Sequence, residues 1–157
     1  KAEVKEIKDY TAGGSDEVNG HLRTGPLFPG AGKQVEASIK VLDSAFGKSP
    51  PLERAITVHR YVDNAELFPG EGAIFSDKAY VSTSSDSVGH ASVLEEFGRP
   101  GGVSISIRIP AGVSVLSMAG KLGIKRYHHQ REVVLPRGSR FRILSKSGSK
   151  MEMEMLP

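Results

Sequence analysis

The chain has 157 residues, 38% hydrophobic and 25% charged, the size and composition of one soluble domain with a single core. It contains no cysteine, which excludes a disulfide scaffold, a thiolate nucleophile and any Cys-ligated zinc or iron-sulfur site, and no apolar run approaches the ~20 residues of a membrane span. The net charge of +3 hides a division: residues 121–150 carry nine Lys or Arg against Glu132 alone, a local charge of +8, while the other 127 residues hold 12 basic and 17 acidic side chains and sum to −5.

In chain order, the first half reads as helical. Residues 15–23 open with Ser15 as an N-cap followed by acids in the first turn, and residues 33–46 place Val35, Ile39, Leu42 and Phe46 at helical spacing, with Gly47 as the stop. Between them TGPLFPGAG holds too much Gly and Pro for a regular element, and KSPPLER leads into the strand AITVHRYV. AYVS (79–82) predicts a short strand and residues 87–97 a helix. VSISIRI (103–109) alternates with Val103, Ile105, Ile107 and Ile109 on one face, and EVVL (132–135) is a compact apolar strand. SRFRILSK and KMEMEML flank Ser147-Gly148-Ser149 as a hairpin, with Met151, Met153 and Met155 on the core side and Glu152 and Glu154 opposite. There is no internal repeat and no long linker. The pattern is α+β, helices first and then mostly antiparallel strands, in one domain spanning 1–157.

Three features stand out from this frame. Arg60 alternates with Val58 and Val62, so it points inward, where a guanidinium needs an anion, either a carboxylate of the chain itself or a bound phosphate. Ser82-Thr83-Ser84 closes the strand AYVS, as a turn former or as a set of hydroxyl donors. Gln130 and Glu132 project from one side of an extended chain, and Glu132 is the only acid among 30 residues, so its cationic neighbours are expected to keep it ionised. The basic run itself suits an anionic partner or a solvated strand face.

These pieces, in this order, resemble the mono-ADP-ribosyltransferases of the arginine-serine-glutamate class. VHRYV matches the strand arginine of that family, KAYVSTSS its Ser-Thr-Ser strand, and YHHQREVVLPRGSRF its catalytic turn with a Gln-x-Glu pair. YTAGGSDEVNGHLR is similar to the opening helix motif, with Asn19 and Arg23, and EFGRPGGVSISI to the phosphate and nicotinamide loop of the Rho-modifying exoenzymes, with Phe97 and Arg99. The five matches run in register from Tyr10 to Ile143. The resemblance implies N-terminal helices packed on two mostly antiparallel sheets around an NAD cleft, with NAD as co-substrate and no metal.

Transfer of ADP-ribose breaks the bond between nicotinamide and ribose through a cation-like state, which a fixed negative charge stabilises. The resemblance gives Glu132 that task, with Ser82 orienting it, Arg60 and Arg99 clamping the diphosphate, Asn19, Arg23 and Thr83 in the same pocket, and Phe97 near the nicotinamide. In the resembling family a Gln two residues before the glutamate accompanies asparagine of Rho-type GTPases, or guanine in the pierisin-like group, so Gln130 argues against arginine as acceptor. Tyr127, Arg126 and Arg131 would join Gln130 in acceptor recognition. The stretch from Lys125 to Arg131 has the basic, aromatic composition that reaches phosphates and bases, which favours RNA or DNA over a protein. His128 and His129 point apart on a strand and form no metal site, and His59 and His90 read as structural or surface residues.

The chain opens at Lys1 and reads as a piece of a longer protein. The resemblance makes it the C-terminal toxin fragment, secreted or contact-delivered, acting in a target cell's cytoplasm and countered by an immunity protein. The rival expectations are an NAD glycohydrolase toxin and a non-catalytic nucleic-acid-binding module on a decayed transferase fold.

Overall fold

Three helices lead the chain: α1 (Ala2–Asp9), α2 (Ser15–Thr24) and α3 (Gly32–Lys48). The structure is a computed structural model that describes residues 2–10, 14–26, 30, 32–87, 90, 91, 93, 94, 98–118 and 131–157. In α3 the expected stripe of Val35, Ile39, Leu42 and Phe46 is buried together with Ala45. The helix runs one residue beyond its expected stop, because Gly47 has open space around it and stays in the last turn. α1 had no periodic signal, since Ile7 is its only buried residue; Lys5 and Asp9, four apart, support it with an ion pair of 2.5 Å. None of the described helices is long and apolar enough to cross a membrane.

Eight strands follow: β1 (Ile56–Val62), β2 (Ile74–Ser76), β3 (Val81–Ser84), β4 (Val103–Ile109), β5 (Leu116–Ser117), β6 (Glu132–Leu135), β7 (Arg140–Ser147) and β8 (Lys150–Met155). They form one sheet in the order β2-β7-β8-β4-β1-β3-β6-β5, antiparallel except for the parallel pair β4 and β8. The expected α+β architecture is present. The two expected sheets are instead the halves of a single sheet, joined where β1 meets β3 through the pairing His59↔Ser84. By contrast β1 and β4 are paired over seven positions, from Ile56↔Ile109 to Val62↔Val103.

Alternation then builds two cores. Val58, Ile105, Ile107, Met151 and Met153 from one half meet Val81, Val133 and Leu135 from the other. Tyr80, Leu116, Met118 and Val134 pack instead against the helices, with Leu42 and Phe46 of α3 and Tyr10 just after α1. The methionine stripe of β8 is therefore core packing, as its alternation with Glu152 and Glu154 predicts.

Two boundaries differ from the sequence reading. β3 begins at Val81 and not at Ala79, because the Asp77 carboxylate accepts the Ala79 N–H (2.9 Å) and holds the chain in a turn. Ser82 to Ser84 consequently lie within the strand. The helix expected over 87–97 falls partly outside the described residues; those described within 87–94 are helical. The short strands β2 and β5 were not foreseen, at three and two residues.

The β7–β8 hairpin turns at Gly148 with φ 57°, a conformation that costs a residue bearing a Cβ. Gly148→Ala should lower stability by about 1 kcal/mol, seen as a lower urea midpoint with an unchanged slope.

Candidate active site

Beside the single junction of β1 and β3 lies a cleft of about 530 Å³, walled on one side by α2 and on the other by the two strands and Glu132 of β6. Its size lies within the ~300–1,000 Å³ typical of small-molecule and cofactor pockets. Asn19, Arg23, Arg60, Ser82, Thr83 and Glu132, all expected site residues from four separate stretches of sequence, line it.

Arg60 enters from β1 on the same face as Val58 and Val62, as the alternation requires. Its guanidinium donates to the Ser82 carbonyl at 3.2 Å. Among the described residues it forms no ion pair, and burial pulls it below its ordinary value while the nearby charge of Asp77 pulls the other way. A buried guanidinium with donors to spare is a fork waiting for an anion.

Glu132 is the first residue of β6, fixed by its pairing with Ser84 and by its carbonyl, which accepts the Met118 N–H at 2.9 Å. Ser82 and Ser84 flank it on the same face of the sheet, because Ser84 sits directly opposite Glu132 and Ser82 opposite Val134. Burial pushes the Glu132 carboxyl above the usual range, and a hydrogen bond from Ser82 partly offsets the push. Of the cationic neighbours expected to keep it ionised, Lys121, Lys125 and Arg126 lie outside the described residues. Glu132 Oε1 is buried and has no hydrogen-bond partner among the described residues, a costly state for a carboxylate that a ligand hydroxyl in the cleft would relieve.

Tyr10 ties the two walls together, although no local pattern marks it as a site residue. It accepts a hydrogen bond from Asn19 Nδ2 at 2.9 Å, shares one with Ser82, and lies close enough to Glu132 for the carboxylate to oppose its ionisation. Asn19 Oδ1 accepts in turn from the Tyr80 N–H at 3.2 Å, which pins α2 to the start of β3.

Several expected residues are engaged with the protein itself. Arg23 binds both oxygens of Asp77, at 3.1 and 3.3 Å. Thr83 spends its hydroxyl on the Val133 carbonyl at 2.7 Å, so it joins β3 to β6 and has no free donor for a ligand. Arg131 pairs with Asp86, and its carbonyl accepts the Ser85 N–H at 2.8 Å. Its φ of 47° places it in the left-handed region. The chain is therefore not extended at 131, and the alternation argument that put Gln130 and Glu132 on one side does not hold there. Arg99 stands on an exposed loop before β4, outside the lining of the cleft. Phe97, Arg126, Tyr127 and Gln130, with His128 and His129, lie outside the described residues.

Of the two histidines expected to be structural or surface residues, His90 is buried and His59 half-buried. Their rings lie 5.5 Å apart in the cleft wall, and His90 is 9% exposed with neither ring nitrogen hydrogen-bonded. Burial first, then His59, push His90 below its ordinary value. The two are 31 positions apart in different elements, and no local pattern announces their meeting. Among the described residues no group of three or more His, Cys, Asp or Glu could hold a metal ion.

Comparison with known proteins places this arrangement. The family model described as ADP-ribosyltransferase exoenzyme matches residues 1–155. No curated protein sequence matches the chain. Among solved structures, Plx2a, an ADP-ribosyltransferase toxin from Paenibacillus larvae, superposes with a TM-score of 0.75 at 24% identity, covering 100% of this chain and 87% of that one. C3larvin toxin, an ADP-ribosyltransferase from the same organism, gives 0.69 at 25% identity, covering 100% and 88%. Exoenzyme S from Pseudomonas aeruginosa, solved with human 14-3-3 protein beta and carba-NAD, gives 0.75 at 21% identity, covering 98% and 72%.

Proposed function

Because this chain belongs to the ADP-ribosyltransferase exoenzyme family, with NAD as co-substrate, we propose that it transfers ADP-ribose from NAD to a non-arginine acceptor, a side-chain amide of a protein, with Glu132 as the essential residue. The observation that carries this reading is the buried Oε1 of Glu132, without a hydrogen-bond partner among the described residues, in the wall of a cleft that also holds the half-buried Arg60 guanidinium, without an ion-pair partner among them. A carboxylate so placed can hold a ribose hydroxyl and set a negative charge beside the nicotinamide–ribose bond. Ser82 orients it. Arg60 binds the diphosphate, joined by Arg99 and by Arg23 once Arg23 leaves Asp77. Asn19 borders the same pocket, and Phe97 packs near the nicotinamide. Bound NAD supplies the labile bond, and the residues of the chain supply orientation and charge.

Gln130 underlies the choice of acceptor. An amide both donates and accepts, which matches another amide, whereas a carboxylate there would suit a guanidinium. The exoenzymes that the chain resembles direct such a residue to asparagine of Rho-type GTPases, with Tyr127, Arg126 and Arg131 at the same surface. One observation favours a nucleic-acid acceptor as the second reading: the basic, aromatic composition of residues 125–131. The site of action on either reading is the cytoplasm of a target cell reached by secretion or contact, as befits relatives named as toxins.

Labelled NAD added to a cell lysate with this protein tests the proposal. Label on protein supports it. Label on RNA or DNA moves the acceptor to nucleic acid. Nicotinamide release with no labelled macromolecule identifies an NAD glycohydrolase, and no release at all a non-catalytic module.

A further inference from the structure

The loop that carries Arg99 is fastened to β1 by one side chain that no functional reading has yet used. Tyr61, next to Arg60 in sequence, accepts a hydrogen bond from the Arg99 N–H at 2.7 Å and donates to the Arg99 carbonyl at 3.1 Å, so a single phenol satisfies both backbone groups of that residue. The ring lies against Gly102, where an added Cβ would sit 2.0 Å from the Tyr61 hydroxyl and 2.4 Å from the ring carbon that bears it. Glycine at 102 is therefore a condition of the contact. At the other end of the loop the Gly98 N–H bonds the Leu94 carbonyl at 2.8 Å, and the Gly102 N–H bonds the Arg99 carbonyl at 3.2 Å. The loop is short and closed on itself, and Tyr61 is its tie to the sheet.

Adjacent residues of a strand point to opposite faces. Arg60 therefore sends its guanidinium into the core-side end of the cleft, while Tyr61, on the face shared by His59, Ser84 and Glu132, lines the cleft wall and reaches the loop. One strand thus fixes the position of two of the cations proposed to hold the diphosphate, Arg60 and Arg99. We propose that Tyr61 is a positioning residue for NAD binding, acting through Arg99 by holding its backbone at a set distance from Arg60. The proposal rests on the reading of Arg99 as a diphosphate ligand.

Nicotinamide release from NAD, followed as kcat and KM, tests it with Tyr61→Phe, Arg99→Ala, the double variant and Gly102→Ala. Tyr61→Phe keeps the ring and removes both hydrogen bonds. It should raise KM about five- to tenfold with kcat within about twofold and the melting temperature nearly unchanged. A residue that acts only through Arg99 adds nothing once that side chain is gone, so the double variant should match Arg99→Ala. Gly102→Ala, which displaces the same hydroxyl from the opposite side, should also raise KM. An unchanged KM in Tyr61→Phe or Gly102→Ala, a loss of kcat in place of affinity, or full additivity in the double variant overturns the proposal. If Arg99→Ala itself leaves KM unchanged, the assignment of Arg99 to NAD fails and the role of Tyr61 fails with it. The reading of the chain as a transferase fails separately, by absence of nicotinamide release from the unaltered protein.

Discussion

Glu132→Gln is expected to reduce nicotinamide release by about 10³-fold or more while leaving the protein folded and more stable at neutral pH. The loss follows from removing the fixed charge beside the breaking bond, a contribution in the range of ~10²–10⁴ for a positioned charged group. The gain follows from the direction of the titration. Burial raises the Glu132 carboxyl in the folded protein above its unfolded value, so the folded state binds the proton more tightly. Stability associated with this group is greatest at low pH and falls as pH rises from the unfolded value through the folded one. Gln carries no charge to desolvate and removes that fall. Activity in the unaltered protein should run the other way: it needs the carboxylate, so its acid limb should lie above the ordinary Glu range. Measured kcat against pH and melting curves of both proteins at neutral pH check the two statements. A Glu132→Gln protein that retains NAD cleavage removes Glu132 from the mechanism.

The largest effect on the fold is expected at Tyr80. Its ring stacks on Phe46 at 5.6 Å and meets Tyr10 edge-on at 5.8 Å, and its hydroxyl donates to Asp43 at 2.7 Å and approaches the Ile39 carbonyl at 3.2 Å. Asp43 also binds Arg137 through two hydrogen bonds of 2.9 and 2.7 Å, which brings the turn after β6 to α3. Tyr80 is 1% exposed. Tyr80→Ala removes a ring from the core between helices and sheet and should cost ~3–5 kcal/mol. Tyr80→Phe keeps the stacking and leaves the Asp43 carboxylate short of one donor, for about 1–2 kcal/mol. Denaturant midpoints separate the two. Activity should suffer in Tyr80→Ala beyond the unfolded fraction, since the backbone of Tyr80 holds Asn19 and its ring adjoins Tyr10, the hub between Asn19 and Ser82.

What the sequence made legible were features with a period or a motif. Val103 to Ile109 and the methionines of β8 alternate, and those strands lie where expected, because burial on one face leaves a mark at every second residue. The stripe on α3 is visible for the same reason. Arg60, Ser82 and Glu132 could be named because each sits on a strand whose pattern fixes its direction. The rest depends on contacts made across the chain. Asp77 holds Arg23 from 54 residues away, Tyr61 holds Arg99 from 38, and Asp86 holds Arg131 from 45; none of these pairs has a local signature. The charge argument around Glu132 counted neighbours in sequence, most of which lie outside the described residues; the described partners of the carboxyl are Ser82 and Tyr10. The left-handed turn at Arg131 was equally hidden, since no glycine marks it.

The pairing of β1 with β3 at His59↔Ser84 has a mechanical consequence. Elsewhere the strands are laced by runs of directional hydrogen bonds, which resist sliding. Across this junction the two halves of the sheet are held chiefly by apolar side chains facing one another, whose attraction has little directional preference. Small shear between the halves therefore breaks few ladder bonds, and Arg60 rides on one half while Ser82 and Glu132 ride on the other. The cleft occupies this seam, so the separation of its guanidinium and carboxylate can adjust to a ligand at the cost of few ladder bonds.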